Sequence, residues 1–181
     1  QVCASVERVY VHRDIYDKFV KEIVRLVKAL KQDNPLLNSS ADIGAMTSEE
    51  QVRIVEEQIS DAVNKGAHIL TGGKRSTKGK MFFEPTVLTD VTEDMQVLSE
   101  ETFGPLLPII RVDDEKEAIS RANDSVYGLS AYVYTRNTKK GRLIAEQIEA
   151  GTVMLNEALL THVLPEAPWQ GFKTSGIGRV H

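Results

Sequence analysis

Three scarcities limit what this 181-residue chain can be. It has one cysteine, Cys3, so no internal disulfide can form, and a reducing, cytoplasmic setting is expected. No stretch approaches the roughly 20 consecutive apolar residues that a membrane-spanning helix needs. Basic residues number 22 against 26 acidic ones, and the net charge of −4 attracts neither nucleic acid nor an anionic membrane. We therefore expect no nucleic-acid and no membrane partner.

Histidine and cysteine, the usual ligands of a zinc site, are also scarce. The histidines His12, His68, His162 and His181 lack the spacing of a metal site, and no metal is expected.

The hydrophobic content of 41% is typical of a compact soluble domain. The chain does not begin with methionine, which is compatible with processing or with a longer parent polypeptide.

Strand and helix patterns alternate along the chain. Strands are predicted near residues 8–12, 68–71, 81–83, 86–88, 106–112, 129–134 and 152–155, and helices over 15–30, 48–66, 114–122 and 139–150. Asp14 and Ser48 are the expected N-caps of the first two helices, and Ser48 to Gln51 has the form of a capping box. This alternation predicts an α/β domain with a largely parallel sheet.

Cys3 is the first candidate functional residue. A thiol at a helix-to-strand junction is a nucleophile if a helix dipole or a nearby donor lowers its pKa, since the thiolate is the reactive form. Free cysteine is also common as a small buried hydrophobe. The thiol alone leaves both interpretations open.

Two further segments contain candidate binding residues. In Glu100-Glu101-Thr102-Phe103-Gly104-Pro105, a carboxylate could accept hydrogen bonds from ligand hydroxyls and Phe103 could stack on a flat ring, or the segment is a solvated acidic turn with Phe103 in the core. In the glycine-rich segment 168–179, Trp169 could line a pocket. The glycine spacing there does not match a phosphate-binding loop.

Six stretches, taken together, point to a family. QVCASVERVYV, FFEPTVLTDV, EETFGP, YGLSAYVYT, GTVMLN and PWQGFKTSGIGR occur in the order, and over nearly the whole length, of the catalytic domain of NAD(P)-dependent aldehyde dehydrogenases. The chain resembles that domain. The resemblance implies a three-layer α/β/α catalytic domain over residues 1–181, NAD or NADP as cofactor, and a small aldehyde as substrate. It also implies that Cys3 attacks the aldehyde carbon and carries thiohemiacetal and thioester intermediates.

The resemblance also implies roles for five other residues. Glu101 matches the glutamate that binds the nicotinamide ribose, Phe103 the aromatic beside the nicotinamide, and Gln51 a position on the cofactor's adenosine side. Asn156 and Trp169 are the implied substrate-site residues, with Asn156 structural near the site and Trp169 an aromatic wall of an entrance lined by residues 157–169. Gln170 departs from the family pattern, which usually has glycine there.

The family's general base, oxyanion-hole asparagine and dinucleotide-binding domain precede the cysteine, and its oligomerisation strand would follow His181. We therefore expect a fragment of a homo-oligomeric enzyme that is inactive by itself. Residues 157–169 contain no Arg or Lys, which favours an uncharged or aromatic aldehyde. Two other hypotheses remain: a non-catalytic binding relic of the fold, and a cysteine acyl-transferase or esterase.

Overall fold

The computed structural model describes residues 1–160, 166 and 169–180. The chain forms two compact units, one of Gln1–Val2 with Val6–Arg111 and one of Cys3–Ser5 with Val112–His181. Among the helices of the described part, none has the length and apolar character required to cross a bilayer.

The first unit is built on a four-stranded sheet in the order β1-β4-β3-β2. Its elements are β1 Val9–His12, α1 Tyr16–Ala29, α2 Glu49–Asn64, β2 His68–Thr71, β3 Thr86–Thr89, α3 Gln96–Ser99 and β4 Leu106–Val112, the last residue of β4 belonging to the second unit. β3 and β4 are parallel, and β2 adds antiparallel to the edge of β3.

Helix α1 covers one face of this sheet. Its apolar residues, which include Phe19 and Ile23, pack against a core of Val11, Val87 and Ile109. Because side chains alternate along a strand, the neighbours of Val87 in β3 point to the opposite face, and they are buried as well. β3 is therefore covered on both faces, as expected for the centre of an α/β sheet.

Helix α2 begins and ends as its sequence predicts. The Ser48 hydroxyl accepts a hydrogen bond from the backbone N–H of Gln51 at 3.1 Å, which satisfies a free donor of the first turn. One side of the helix is buried, at Val52, Val55, Gln58, Ile59 and Ala62. After the helix, Gly66 has φ of 104°, a conformation that suits glycine and stops the helix.

The second unit pairs short strands with two helices. Its elements are α4 Glu115–Asn123, β5 Tyr127–Gly128, β6 Ser130–Val133, α5 Thr138–Ala145, β7 Thr152–Leu155, β8 Trp169–Gln170, β9 Phe172–Lys173 and β10 Arg179–Val180. β6 and β7 are parallel and in register from Ser130 with Thr152 to Val133 with Leu155. β5 pairs with β9 and β8 with β10, both antiparallel.

The predicted α/β class with a mostly parallel sheet is confirmed, but some local predictions were wrong. Asp14 is not the cap of α1: Ile15 occupies that position, and the Asp14 carboxylate lies near His12 and Arg13. Residues 81–83 form no strand, since Phe83 makes only an isolated bridge with Arg75. α5 ends at Ala145 and not at Ala150.

Candidate active site

Cys3 is an exposed free thiol. Its neighbour Ala4 is only 3% exposed, so burial begins directly after the thiol. The interpretation of Cys3 as a small buried hydrophobe was therefore wrong. An exposed thiol is accessible to a small electrophile, which a nucleophile requires.

The backbone beside Cys3 is held by Tyr132 of β6. The Tyr132 hydroxyl donates to the carbonyl of Ala4 at 2.6 Å. Burial, with smaller contributions from Tyr134 and Cys3, raises the pKa of Tyr132, so the hydroxyl stays protonated and can donate at neutral pH. The sequence analysis missed this residue, because nothing local links position 132 to position 4.

Glu101 and Phe103 lie in the turn between α3 and β4. The Glu101 side chain is exposed, and the buried Thr102 separates it from a half-buried Phe103. Phe103 has φ of 44°, in the left-handed region that residues with a β-carbon rarely adopt. Because Glu101 is exposed, its carboxylate is accessible as an acceptor for a ligand with hydroxyl groups.

Gln51 is brought to the same turn, where its side chain contacts the backbone of Thr102. Its side-chain Nε2 donates to the carbonyl of Thr102 at 2.8 Å, so the amide is used in holding the turn. The capping box is thus only half formed, because the Gln51 side chain reaches across to Thr102 while its N–H bonds Ser48. Gln51, Glu101 and Phe103 therefore form one cluster in the first unit.

Asn156 ends strand β7 in the second unit and has φ of 57°. Its Oδ1 accepts from the N–H of Thr135 at 2.8 Å, and its Nδ2 donates to the carbonyl of Thr135 at 2.9 Å. These two bonds occupy both backbone groups of Thr135, as a neighbouring strand would. They continue the pairing of β6 with β7 beyond the ends of the strands. Both bonds stay within the chain, and a role of Asn156 near a substrate site stays a prediction.

Trp169 begins β8 and is half-buried, and its partner in β10 is Val180. Gln170 also lies in this strand, so the position where the family usually has glycine is extended here and needs no positive φ. Within the predicted entrance segment, residues 161–165, 167 and 168 lie outside the described residues. The described part of the chain shows no cluster of three or more metal-ligating side chains.

Comparison with known proteins gives the family. The model of the Aldehyde dehydrogenase family matches residues 1–181. The chain belongs to the aldehyde dehydrogenase family. It spans about a third of the length of the curated relatives that it matches, 33–36% of each.

Three relatives illustrate the match. A Schizosaccharomyces pombe succinate-semialdehyde dehydrogenase [NADP(+)] is 43% identical over 99% of this chain and 36% of its own length. The crystal structure of a Burkholderia pseudomallei succinate-semialdehyde dehydrogenase is 43% identical over 99% of this chain and 36% of that one, with a TM-score of 0.94. A point mutant of Staphylococcus aureus betaine aldehyde dehydrogenase, in complex with NAD+ and with a BME-modified cysteine, is 36% identical over 98% and 36% respectively, with a TM-score of 0.92.

Proposed function

We propose that this chain is the cysteine-bearing part of an aldehyde dehydrogenase that oxidises an aldehyde to a carboxylic acid with NAD or NADP, and that Cys3 is its nucleophile. One aldehyde, one water and one oxidised cofactor give one acid, one reduced cofactor and one proton. The observation that carries the proposal is the family match over the whole chain, with an exposed thiol in the Gln-x-Cys stretch. The BME-modified cysteine of the Staphylococcus relative supports a reactive thiol in this family.

The chemistry assigned to this chain centres on Cys3. Its thiolate forms a C–S bond with the aldehyde carbon, and the carbonyl oxygen becomes an alkoxide. The Cys3 backbone N–H donates to that oxygen, where negative charge develops. The bound cofactor supplies the hydride acceptor. Loss of hydride from the carbon leaves a thioester on Cys3, and attack of water breaks the C–S bond, releasing the acid and the thiolate.

The Glu101 turn fits the cofactor assigned to it. A ribose diol needs acceptors, and Glu101 offers an exposed carboxylate with two oxygens. Phe103 offers a partly exposed ring of the kind that packs against a flat heterocycle. Gln51 stabilises the same turn through its hydrogen bond to the carbonyl of Thr102. A direct contact of Gln51 with the adenosine side of the cofactor stays a prediction.

The names of the relatives suggest the first substrates to assay. Succinate semialdehyde carries a carboxylate, and betaine aldehyde carries a quaternary ammonium. The absence of Arg and Lys from residues 157–169 favours an uncharged or aromatic aldehyde. We propose that assays compare succinate semialdehyde, betaine aldehyde and benzaldehyde with both cofactors. The inactivity of the isolated chain and the homo-oligomeric state of the complete protein stay predictions.

The decisive experiment replaces Cys3 in the native polypeptide expressed from its complete reading frame. Reduced cofactor is followed by absorbance for the wild type, Cys3→Ser, Cys3→Ala and the control Ser5→Ala, which alters an exposed residue of the same segment. We expect both Cys3 variants to lose kcat by a factor on the order of 10³ or more, and Ser5→Ala to retain it. Mass spectrometry of iodoacetamide-treated enzyme should show inactivation in step with alkylation of Cys3.

The other hypotheses predict different results. Oxidation that survives in Cys3→Ala would refute the assignment of the nucleophile. Cofactor-independent turnover of an activated ester, with no aldehyde oxidation in the wild type, would identify an acyl-transferase or esterase. A wild type that binds neither cofactor nor aldehyde would favour a non-catalytic relic.

A further inference from the structure

The backbone of the Glu101–Phe103 turn is fixed by side chains from distant parts of the first unit. Its three consecutive carbonyls each accept a glutamine Nε2–H: Glu101 from Gln58 at 3.4 Å, Thr102 from Gln51 at 2.8 Å and Phe103 from Gln1 at 2.6 Å. A residue in the left-handed region is strained, and such strain persists only where surrounding contacts fix the conformation. These bonds identify what fixes Phe103.

A carboxylate completes this arrangement. The Oε2 atom of Glu7 accepts from the backbone N–H of Thr102 at 3.0 Å. Glu7 is half-buried, while Thr102 is 2% exposed, so water has little access to the Thr102 N–H as a substitute partner. A buried N–H that loses its acceptor is destabilising, so this contact matters more than one on an open surface.

The surroundings of Glu7 shift the pKa of its carboxyl, with burial and hydrogen bonds acting in opposite directions. Burial raises the pKa of the Glu7 carboxyl, and the nearby charge of Glu101 raises it further. Backbone hydrogen bonds from Thr102 and Phe103 oppose that rise, because both N–H groups stabilise the charged form. An ionised carboxylate with two acceptor oxygens can serve both N–H groups at once.

We propose that Glu7 is a positioning residue for the nicotinamide end of the cofactor. Its carboxylate anchors the Thr102 amide, and the turn then presents the Glu101 carboxylate and the Phe103 ring on either side of that anchored residue. This inference rests on the cofactor role given to Glu101 and Phe103 under the proposed function. Glu7 itself does not touch the cofactor and acts through the backbone of the turn.

The substitution Glu7→Gln tests the charge at nearly constant size. A glutamine side chain has only one acceptor oxygen. In the variant its NH₂ group would face a backbone N–H that accepts no donor, where in the wild type the second carboxylate oxygen of Glu7 is the acceptor. We expect the Thr102 amide to exchange with solvent about tenfold faster, since a charge-assisted hydrogen bond is replaced by a weaker one. Glu7→Ala removes both acceptors and should give the larger effect.

Cofactor binding is measured on the same variants in the native polypeptide from its complete reading frame. The fluorescence of bound NADH or NADPH gives the dissociation constant without turnover. We expect that constant to rise about tenfold in Glu7→Gln. The cofactor KM should rise in parallel, while the aldehyde KM and the rate of Cys3 alkylation without cofactor stay within about twofold of wild type.

Glu117→Gln is the matched control. Glu117 also accepts a backbone N–H through its carboxylate, from Asp113 at 2.7 Å, but it lies in helix α4. Faster exchange at the Asp113 amide with an unchanged cofactor dissociation constant is the expected result. An equal loss of affinity in Glu117→Gln would mean that general destabilisation, and not the turn, weakens binding, and would overturn the proposal.

Two other results separate the inference from the function on which it rests. Faster exchange at Thr102 with unchanged NADH or NADPH affinity in Glu7→Gln would overturn the positioning role, and so would unchanged exchange at Thr102. A wild type that binds neither NADH nor NADPH would overturn the proposed function together with the positioning role. If Glu7→Ala does not fold, the near-isosteric Glu7→Gln still decides between these outcomes.

Discussion

Replacing Asn156 separates the hydrogen bonds of its side chain from the strain of its backbone. The side-chain amide makes two bonds to the backbone of Thr135, and the residue sits at φ of 57°. Asparagine tolerates this conformation better than most residues with a β-carbon. Asn156→Gly removes the hydrogen bonds and relaxes the backbone, whereas Asn156→Ala removes the bonds and adds strain.

The two variants should therefore differ by a calculable amount. Asn156 is exposed, so its two bonds are taken at the lower end of the usual range, together about 1 kcal/mol. Alanine in the left-handed region costs a further 1 kcal/mol or so relative to glycine, after allowing for the greater freedom of glycine in the unfolded chain. Asn156→Gly should lower the local stability by about 1 kcal/mol and Asn156→Ala by about 2 kcal/mol.

Hydrogen exchange at the Thr135 amide measures this difference directly. The Thr135 N–H loses its acceptor in both variants, and each kcal/mol corresponds to roughly fivefold faster exchange. We expect about fivefold acceleration in Asn156→Gly and about 25-fold in Asn156→Ala. Equal acceleration in the two variants would refute the strain argument. Unchanged exchange with a raised aldehyde KM would instead show that the Asn156 amide binds substrate.

Two further predictions concern stability. Gly151→Ala should lower the melting temperature by about 6–12 °C in a thermal scan, because its methyl group would overlap the carbonyl oxygen of Gln170. The control Gly178→Ala should melt as the wild type does, since a β-carbon at position 178 has no heavy atom within 4 Å. Equal melting temperatures of the two variants would contradict the clash. The Arg75 hydrogen bond lowers the pKa of Glu56, so the stability from this pair is present above the ordinary value of 4.5 and is lost as pH falls through the lowered pKa. Arg75→Gln should therefore show a smaller fall in melting temperature than wild type between about pH 6 and pH 3, and an identical fall would refute the contribution of the pair.

Local signals predicted those parts of the fold that local bonds decide. Ser48 caps α2 as predicted, accepting a backbone N–H three residues further along. Asp114 caps α4 in the same way, which the sequence analysis did not predict. The bond of Ser48 forms within one helical turn, so the residue type could indicate it, whereas the same rule failed at Asp14, since Ile15 takes the cap position of α1. Strands β2, β4 and β7 also have the predicted bounds, because apolar runs between turn residues mark them clearly.

The predicted end of α5 was wrong where a distant side chain competes for the backbone. The apolar pattern favours a helix up to Ala150, but the side chain of Asn123 takes backbone groups from the last part of that segment. Its Nδ2 donates to the carbonyl of Gln147 at 2.8 Å, and its Oδ1 accepts the N–H of Glu149 at 2.8 Å. α5 therefore ends at Ala145, and no pattern within residues 139–150 could have indicated it.

In the candidate site, too, some residues can be recognised from the sequence while others depend on distant parts of the chain. Cys3, Glu101 and Phe103 are assigned roles through the resemblance to the family, and their thiol, carboxylate and aromatic chemistry is compatible with those roles. The residues that hold the turn need only a donor or an acceptor in the right place. Several residue types meet that need, and their positions depend on the folded backbone, so no short pattern marks them.

Gln1 illustrates why such residues escape sequence analysis and still matter. Its Oε1 accepts the N–H of Thr47 at 2.7 Å, and its Nε2 donates to the carbonyl of Phe103, so one amide links two segments that are far apart in sequence. A glutamine can do this because it carries a donor and an acceptor together, whereas Glu7 can only accept. The turn is therefore held by complementary groups, since glutamines donate to its carbonyls while the carboxylate receives its N–H groups. Exchanging Glu and Gln between these positions would place donor against donor or acceptor against acceptor, although both residues have nearly the same size.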